Sequence, residues 1–347
     1  MSSNFSPLSP NLDRVNPKIK AKNIIWSKSP CAKELNIFFG IIFRYVYEVY
    51  KEKSFSKAAK KLFITQPALS IAIKKVEDEV GMPLFIRKKY SLKLTSAGKV
   101  YINGLKKIMR IENEIISEIN DLENLERGSI VIGATNYMNS FILAPILKKF
   151  KDSYPNITLK LLENTSPKSL GLLNEDTIEV TFSCSDLSEK DYKLSHVFTD
   201  EVILAIPKNM VDKKLSRYAL NLYDIENKAY DNKRVKIDNF KNLPYILLNP
   251  NNNLNQRANS MLNSKEENID IIMYVDQVIT AHSFSINGIG ATFIGSYLLP
   301  REYNENVSYF AIDSPISKRK FNLVMKKETY ESYAIKELIR EMREYYL

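Results

Sequence analysis

A multidomain α/β fold follows from three features of the sequence. Between Ser54 and Gly98, two short helical patterns meet at a tight break and lead into a basic hairpin. From Ser96 to about Glu123 an apolar stripe recurs at 3-4 spacing with no proline. From Ser129 onward, short apolar runs alternate with helical segments, the pattern of a parallel sheet with helices on its faces. The 347 residues suffice for two or three cores, and 44% hydrophobic with 26% charged residues is an ordinary globular composition.

In chain order, residues 1–36 are rich in Ser, Pro, Asn and Lys and are expected to form a basic, disordered extension. Residues 37–95 are expected to form a winged helix-turn-helix domain. Its first helix spans about Ile37 to Lys51, with Phe39, Ile42, Phe43, Val46, Val49 and Tyr50 facing inward. The next runs Ser56 to Phe63, with Ala58, Ala59, Leu62 and Phe63 on one face. Thr65 is a good N-cap for a helix starting at Gln66-Pro67, because proline in a first turn gives up an N–H that has no partner there. That helix reaches about Glu79 and stops at Gly81, with Pro83 beyond. Leu69, Ala72, Ile73 and Val76 form its apolar face; Gln66, Ser70, Lys74 and Lys75 form the other. Leu84-Phe85-Ile86 and Ser91 to Leu94 flank Arg87-Lys88-Lys89 as a small basic wing.

Residues 96–125 read as one long helix. Tyr101, Leu105, Ile108, Ile115, Ile119 and Leu122 make a coiled-coil-like stripe that a lone helix cannot bury, so it needs a partner helix or the chain's own second domain. The remainder, 129–345, alternates strand and helix. Strands are expected at 129–133, 158–163, 178–182, 201–207, 245–248, 269–274, 291–294, 310–312 and 321–325. Helices are expected at about 141–154, 166–174, 255–263, 277–286 and 329–347.

The net charge of +10 is unevenly placed: residues 1–128 hold 23 Lys/Arg against 13 Asp/Glu, and residues 129–347 hold 27 against 27. A basic module on a neutral one is the electrostatic footprint of phosphate binding. No apolar run approaches the ~20 residues of a membrane span, and no secretory leader pattern opens the sequence. Cys31 and Cys184 stand far apart, so no disulfide is expected, in keeping with a cytoplasmic location. Cys184 is read as a partly buried inert thiol, with a redox sensor as the alternative.

The segment carrying Ser54-Phe55-Ser56, Ala58-Ala59, Leu62, Thr65-Gln66-Pro67-Ala68-Leu69-Ser70, Ile73, Glu77, Gly81, Leu84-Phe85, Arg87 and Leu94-Thr95-Ser96-Ala97-Gly98 resembles the DNA-binding domain of LysR-type transcriptional regulators. Two departures stand out: Ile71 follows the serine where the family often has a polar or basic residue, and Lys53 replaces a usual Gly. Ile71 cannot hydrogen-bond a base edge, so a contact there is apolar, for instance to a thymine methyl. The C-terminal half resembles the family's effector domain, periplasmic-binding-protein-like with two α/β lobes joined by two crossing strands. The echoes are Ile132-Gly133-Ala134, Pro145-Ile146-Leu147 with Phe150, Tyr154-Pro155-Asn156-Ile157 and Asn287-Gly288-Ile289-Gly290, with Glu179 where Asp is usual and Gly295 where Pro is frequent. The lobes would comprise about 129–204 with 312–345, and 205–311.

The resemblance implies a DNA-bound homodimer or homotetramer, paired through the long helix, switched by a small-molecule effector and able to meet RNA polymerase. Gln66, Pro67 and Ser70 would touch base edges; Thr65, Lys74, Lys75, Arg87, Lys88 and Lys89 would hold phosphates or the minor groove. Thr135 and Asn136, Thr165 and Ser166, and Asn249 and Asn251 follow strands whose ends run into helix N-termini, and would bind a carboxylate or other anion. Each of these six also suits helix capping alone. No cofactor or metal is called for: His196 and His282 stand in no metal-binding pattern, and no glycine-rich phosphate loop or CxxC occurs. An enzyme is therefore not expected. A solute-binding protein and a ligand-independent DNA-binding protein are the alternatives.

Overall fold

The structure, a computed structural model, describes residues 40–88, 91–122, 128–263 and 269–347. The expected extension over 1–36, the first residues of the expected first helix (37–39, Phe39 included) and Lys89 lie outside the described residues. The chain divides into two compact units that meet between Glu112 and Asn113.

In the first unit, α1 (Ile41–Glu52), α2 (Phe55–Lys61) and α3 (Gln66–Val80) precede an antiparallel hairpin of β1 (Phe85–Lys88) and β2 (Ser91–Leu94). Local chemistry sets each boundary. Ser54 caps α2, accepting from the Lys57 N–H at 3.3 Å, and Thr65 caps α3, accepting from Ala68 N–H at 3.3 Å. At the end of α3, Gly81 N–H donates to Asp78 O and Met82 N–H to Glu77 O, the paired bonds of a Schellman turn. Phe63, expected on the inner face of α2, instead adopts a left-handed φ of 56° in the turn and points to solvent. Val46, Val49, Ala58, Leu62, Leu69, Ile73, Val76 and Leu84 fill the core. Glu77 Oε1 accepts from the N–H groups of Leu84 (2.7 Å) and Phe85 (3.1 Å), fixing the wing to α3. Thr95 Oγ1 donates to Pro83 O and accepts from Gly98 N–H, and a Cβ on Gly98 would overlap the Leu84 carbonyl.

The long helix α4 is continuous from Ser96 to Leu122. Its last residues belong to the second unit and bond within it: Glu114 Oε1 accepts from Tyr330 N–H (3.1 Å), and Asp121 Oδ2 accepts from Tyr330 O–H (2.8 Å) and Tyr333 N–H (2.9 Å).

The second unit has two main cores. One is built on β3 (Gly128–Ala134), β4 (Ile157–Glu163), β5 (Val180–Ser183), α5 (Ala144–Ser153) and the C-terminal α11 (Tyr333–Tyr346); α6 (Ser166–Asn174) packs beside it in a smaller cluster through Leu173 with Ile178 and Val324. The other is built on β7 (Tyr245–Leu248), β8 (Ile271–Val275), β9 (Thr292–Gly295), β10 (Val307–Ala311), α8 (Asn253–Leu262) and α9 (Val278–Ile286). The short α7 (Leu222–Glu226) and α10 (Leu299–Glu302) pack at its edge. Two strands run between the cores, β6 (Tyr192–Pro207) and β11 (Lys318–Lys326). Val197 and Phe198 of β6 lie in the first core, and Val202 to Ile206 in the second.

Three expectations change. The sheets are mixed: β3 pairs parallel with β4 and β5, and β7 with β8, but β6, β9, β10 and β11 pair antiparallel, because the chain returns through the crossing strands. Strand β6 extends nine residues upstream of the expected 201–207; its polar upstream half, half-buried, lacks the apolar run that marks a core strand. The helix expected from Phe141 begins at Asn136, passes through a π-helical turn over Met138–Leu143 and continues as α5.

Glu179 closes β5 against β3, its Oε2 accepting from Val131 N–H at 2.8 Å. Burial pushes its carboxyl up to about 7, helped by Glu114 and opposed by the Val131 N–H. The native state thus holds this proton more tightly than the unfolded chain, so its contribution to stability is full below the unfolded value of 4.5 and is lost as pH rises through about 7. Glu179→Gln keeps the acceptor and removes the titration. We expect the variant to be more stable than wild type at pH 8 by about 1–3 kcal/mol and no more stable at pH 4. Urea midpoints at the two pH values check this, and an unchanged slope with pH would refute it.

Candidate functional site

The outer face of α3 is shaped by what its inner face must bury. With Leu69, Ile73 and Val76 in the core, Gln66, Pro67, Ser70, Ile71, Lys74 and Lys75 are left on the outside. Gln66 Nε2 donates to Ser70 Oγ at 2.8 Å, so the two present one joined polar group. Ile71 stands beside them with 72% of its surface exposed, which no core requirement explains. Lys74 pairs with Asp78 one turn on (2.7 Å), leaving Lys75 as the unneutralised cation of this stretch. Thr65 is occupied as the cap. Arg87 and Lys88 sit on β1, opposite Leu92 and Ser91, at the end of the hairpin.

In the second unit a cleft opens between the two cores, about 530 Å³ counting its mouth. Four helix N-termini meet it: Thr135 ahead of the helix at Asn136, Ser166 at the start of α6, Asn252 and Asn253 at α8, and Gln277 and Val278 at α9. Its floor includes Tyr137, Leu248, Leu254, Phe321 and Arg319. Arg319, on β11, is 5% exposed and ion-paired to the buried Asp200 of β6. The Asp200 carboxylate also accepts from Tyr137 O–H (2.9 Å), Ser296 N–H (2.9 Å) and Ser296 O–H (2.9 Å). One carboxylate therefore ties a helix of the first core, the end of a strand of the second and a crossing strand. Burial beside Asp200 holds the Tyr137 hydroxyl well above its usual range, so it donates as a neutral phenol. Gly295 permits this approach: a Cβ there would overlap the Tyr137 hydroxyl and Asp200.

Cys184 lines the same cleft; its thiol meets Asn253 Oδ1 at 3.0 Å, and burial pushes its pKa up, the condition of an unreactive thiol. Arg257 clamps the rim, donating to Asn253 Oδ1 (3.0 Å) and the Ile316 carbonyl (2.7 Å).

Of the residues expected here, Thr135 and Ser166 line the cleft. Asn136 turns to Glu163 (3.4 Å), Thr165 precedes α6 without a capping side-chain bond, and Asn249 is held by Asp276 at 2.5 Å; these and Asn251 lie outside the lining. Helix α8 starts two residues earlier than expected, so Asn252 and Asn253 take the places given to Asn249 and Asn251. Sequence reasoning missed Tyr137, Asp200, Gln277 and Arg319.

The stripe on α4 divides. Leu105 is 3% exposed, and Tyr101 packs beside Phe43, both in the first unit's own core. Both are thereby removed from a free pairing surface. Ile108, Ile115 and Ile119 are exposed, with Ile111 beside them. The side chains of Leu122, Arg87 and Lys88 lie outside the described residues.

Residues 42–99 match the family described as "Bacterial regulatory helix-turn-helix protein, lysR family", and residues 123–346 match "LysR substrate binding domain". The chain is 29% identical over 310 residues to the uncharacterized HTH-type transcriptional regulator YcgK of Bacillus subtilis, covering 86% of this chain and 93% of that one. It is 25% identical to a probable RuBisCO transcriptional regulator of Trieres chinensis, covering 84% and 92%. Among solved structures, a full-length OxyR variant from Pseudomonas aeruginosa is similar in fold (TM-score 0.64, 17% identity, 87% and 96% covered). So is full-length CbnR complexed with its target DNA (TM-score 0.61, 15% identity, 87% and 98% covered).

Asp200→Ala would strand the Arg319 charge in the protein and leave Tyr137 and Ser296 without their acceptor. The expected cost is about 3–5 kcal/mol in urea unfolding. A loss below about 1 kcal/mol would mean that water solvates Arg319.

Proposed function

The chain belongs to the LysR family of transcriptional regulators, and we propose that it reads its operator with the outer face of α3 and is switched by a small molecule in the inter-lobe cleft. The observation that carries the DNA half is the outer face itself. Gln66 and Ser70 are polar, adjacent and free of the core, the placement that reads base edges in a major groove. Lys75 and the wing residues Arg87, Lys88 and Lys89 supply phosphate contacts, with Lys74 exchanging Asp78 for a phosphate on binding. Ile71 reads an apolar group, the methyl of thymine. We assign 37–95 to DNA binding, 96–125 to linkage and dimerisation, and 129–345 to effector binding.

The cleft carries the ligand half. Its walls come from both lobes, and Asp200 couples them, so a ligand that prefers one closure shifts the population of lobe arrangements. Helix α4 joins that unit to the DNA-binding unit, and its exposed isoleucines pair two copies, as dimer or tetramer. The regulator acts in the cytoplasm, where RNA polymerase is a partner within reach; no helix among the described residues is long and apolar enough to cross a membrane. His196 and His282 serve structural hydrogen bonds, to the Phe321 carbonyl and the Tyr309 hydroxyl, which supports a non-catalytic reading. The attached basic module argues against a plain solute-binding protein.

Binding to DNA upstream of the protein's own gene, by fluorescence anisotropy with competitor DNA and a salt series, tests the proposal. Tight, competitor-resistant and steeply salt-dependent binding is expected; sequence-blind binding would remove α3 as a reader. Gln66→Ala should cost roughly 1–3 kcal/mol on the cognate site and broaden base preference. For Ile71, replacing operator thymines one at a time by deoxyuridine, which lacks only the methyl, should weaken wild type at one position per half-site and leave Ile71→Ala indifferent there. If no position distinguishes the two proteins, Ile71 reads no methyl. Replacing Ile115 and Ile119 together by Asp should halve the sedimenting mass, and a variant that sediments as wild type would exclude pairing through α4.

A further inference from the structure

Helix α2 carries charge that neither the core nor the outer face of α3 uses. From Lys53 to Lys75 the sequence holds six lysines, Lys53, Lys57, Lys60, Lys61, Lys74 and Lys75, and no Asp or Glu. Two of them are neutralised by carboxylates from outside that run: Lys61 by Glu48 (2.5 Å) and Glu52 (3.1 Å) of α1, and Lys74 by Asp78 (2.7 Å). Lys53, Lys57 and Lys60 are exposed, with no ion pair among the described residues. With Phe55, Ala58, Ala59 and Leu62 in the core, helical periodicity puts Lys57 and Lys60 together on the outer face of α2. Lys53 precedes the cap of that helix, and Phe63 follows its end.

Folding alone does not account for these residues. Lys53 and Phe63 end α1 and α2 in left-handed backbone, with φ of 49° and 56°, a conformation that favours glycine. Phe63 also leaves 72% of its surface in water. Lys57 stands in the first turn of α2, where the helix dipole disfavours a cation. Backbone strain, an exposed aromatic and misplaced charge are each local costs, and all three fall on one short element. Such outliers mark a surface kept for a partner. The element leads straight into α3: Thr65, two residues after Phe63, caps that helix, and Gln66 begins it.

We propose that Lys53, Lys57, Lys60 and Phe63 form a clamp on the DNA backbone beside the groove that α3 enters, the lysines on phosphates and the Phe63 ring against the sugars. This rests on the reading of α3 as the DNA-contacting helix and adds a second surface to it. In a helix-turn-helix the first helix crosses the backbone while the second fills the groove, which places α2 over phosphates. Charge selects the partner: three unpaired cations with no carboxylate among them suit a polyanion. The exposed ring selects against a free inorganic anion, since it gains only from an apolar surface such as a sugar face. Lysine ammonium groups do not distinguish one phosphate from the next, so the clamp sets affinity and position rather than sequence.

The test is a salt series with the full-length protein, by fluorescence anisotropy, on a duplex from upstream of its own gene and on a random-sequence duplex of equal length. Lys57→Ala with Lys60→Ala should lower the salt slope by about two for each DNA-binding unit engaged, and weaken both duplexes by the same factor. Lys213→Ala with Lys214→Ala, an exposed pair in the second unit, removes the same charge and should leave the slope as in wild type. Phe63→Gly relieves the left-handed backbone, so its urea midpoint should not fall, yet it should bind both duplexes about tenfold more weakly. A wild-type slope in the Lys57 and Lys60 variant, an equal fall in the control pair, or a loss confined to the upstream duplex would overturn the clamp. Unaltered affinity in Phe63→Gly would remove the ring contact from it. Sequence-blind binding by wild type would sink the operator reading of α3 alone, because the random duplex still reports the clamp.

Discussion

The buried carboxylate of Asp200 is the contact on which the second unit depends. It sits where the chain passes from one core to the other, and it gathers a tyrosine from the first lobe, a serine from the second and an arginine from the returning strand. An ion pair at such a depth adds little net stability, because desolvation of both charges offsets their attraction. Its consequence is specificity of arrangement. Neither partner can be left alone in the interior, so the lobes are held in relative positions that keep Tyr137, Ser296 and Arg319 together. Gly295 is a local consequence: it leaves space for the tyrosine hydroxyl.

How much of this was legible from the sequence depends on how far apart in the chain the causes lie. The helix-turn-helix is local. Thr65, Pro67 and Gly81 each act within a turn of their own position, so the boundaries of α3 could be read to within a residue. The roles of Glu77 and Thr95 were not legible, because their partners, the Leu84 and Phe85 amides and the Pro83 carbonyl, lie across a turn whose geometry had first to be known. The cleft is the opposite case. Tyr137, Asp200, Asn252, Gln277 and Arg319 come from five segments, and only the crossing of β6 and β11 brings them together. In isolation Arg319 looks like one more cation in Lys318 to Lys320. The run from Asn249 to Asn253 offered several polar candidates, and the start of α8 decided among them.

The stripe on α4 shows what periodicity can and cannot establish. Apolar residues at 3-4 spacing mark one face of a helix, and the helix is there. The pattern does not name what covers each residue. Tyr101 and Leu105 pack with the first unit's own core, whereas Ile108, Ile111, Ile115 and Ile119 are exposed among the described residues. The change falls where the helix leaves that core. Beyond it, within the second unit, Glu114 and Asp121 accept from Tyr330 and Tyr333.

That division bears on how a signal would leave the cleft. The helix runs 27 residues without a break, and its last turns lie in the second unit. The Glu114 and Asp121 contacts are hydrogen bonds to the segment that begins α11, and α11 packs on the core that contains Tyr137. On the proposed reading, a ligand that alters the Tyr137–Asp200–Arg319 contact would act on the lobe to which Glu114 and Asp121 are bonded. Such coupling would need two lobe arrangements of similar free energy and a ligand that distinguishes them.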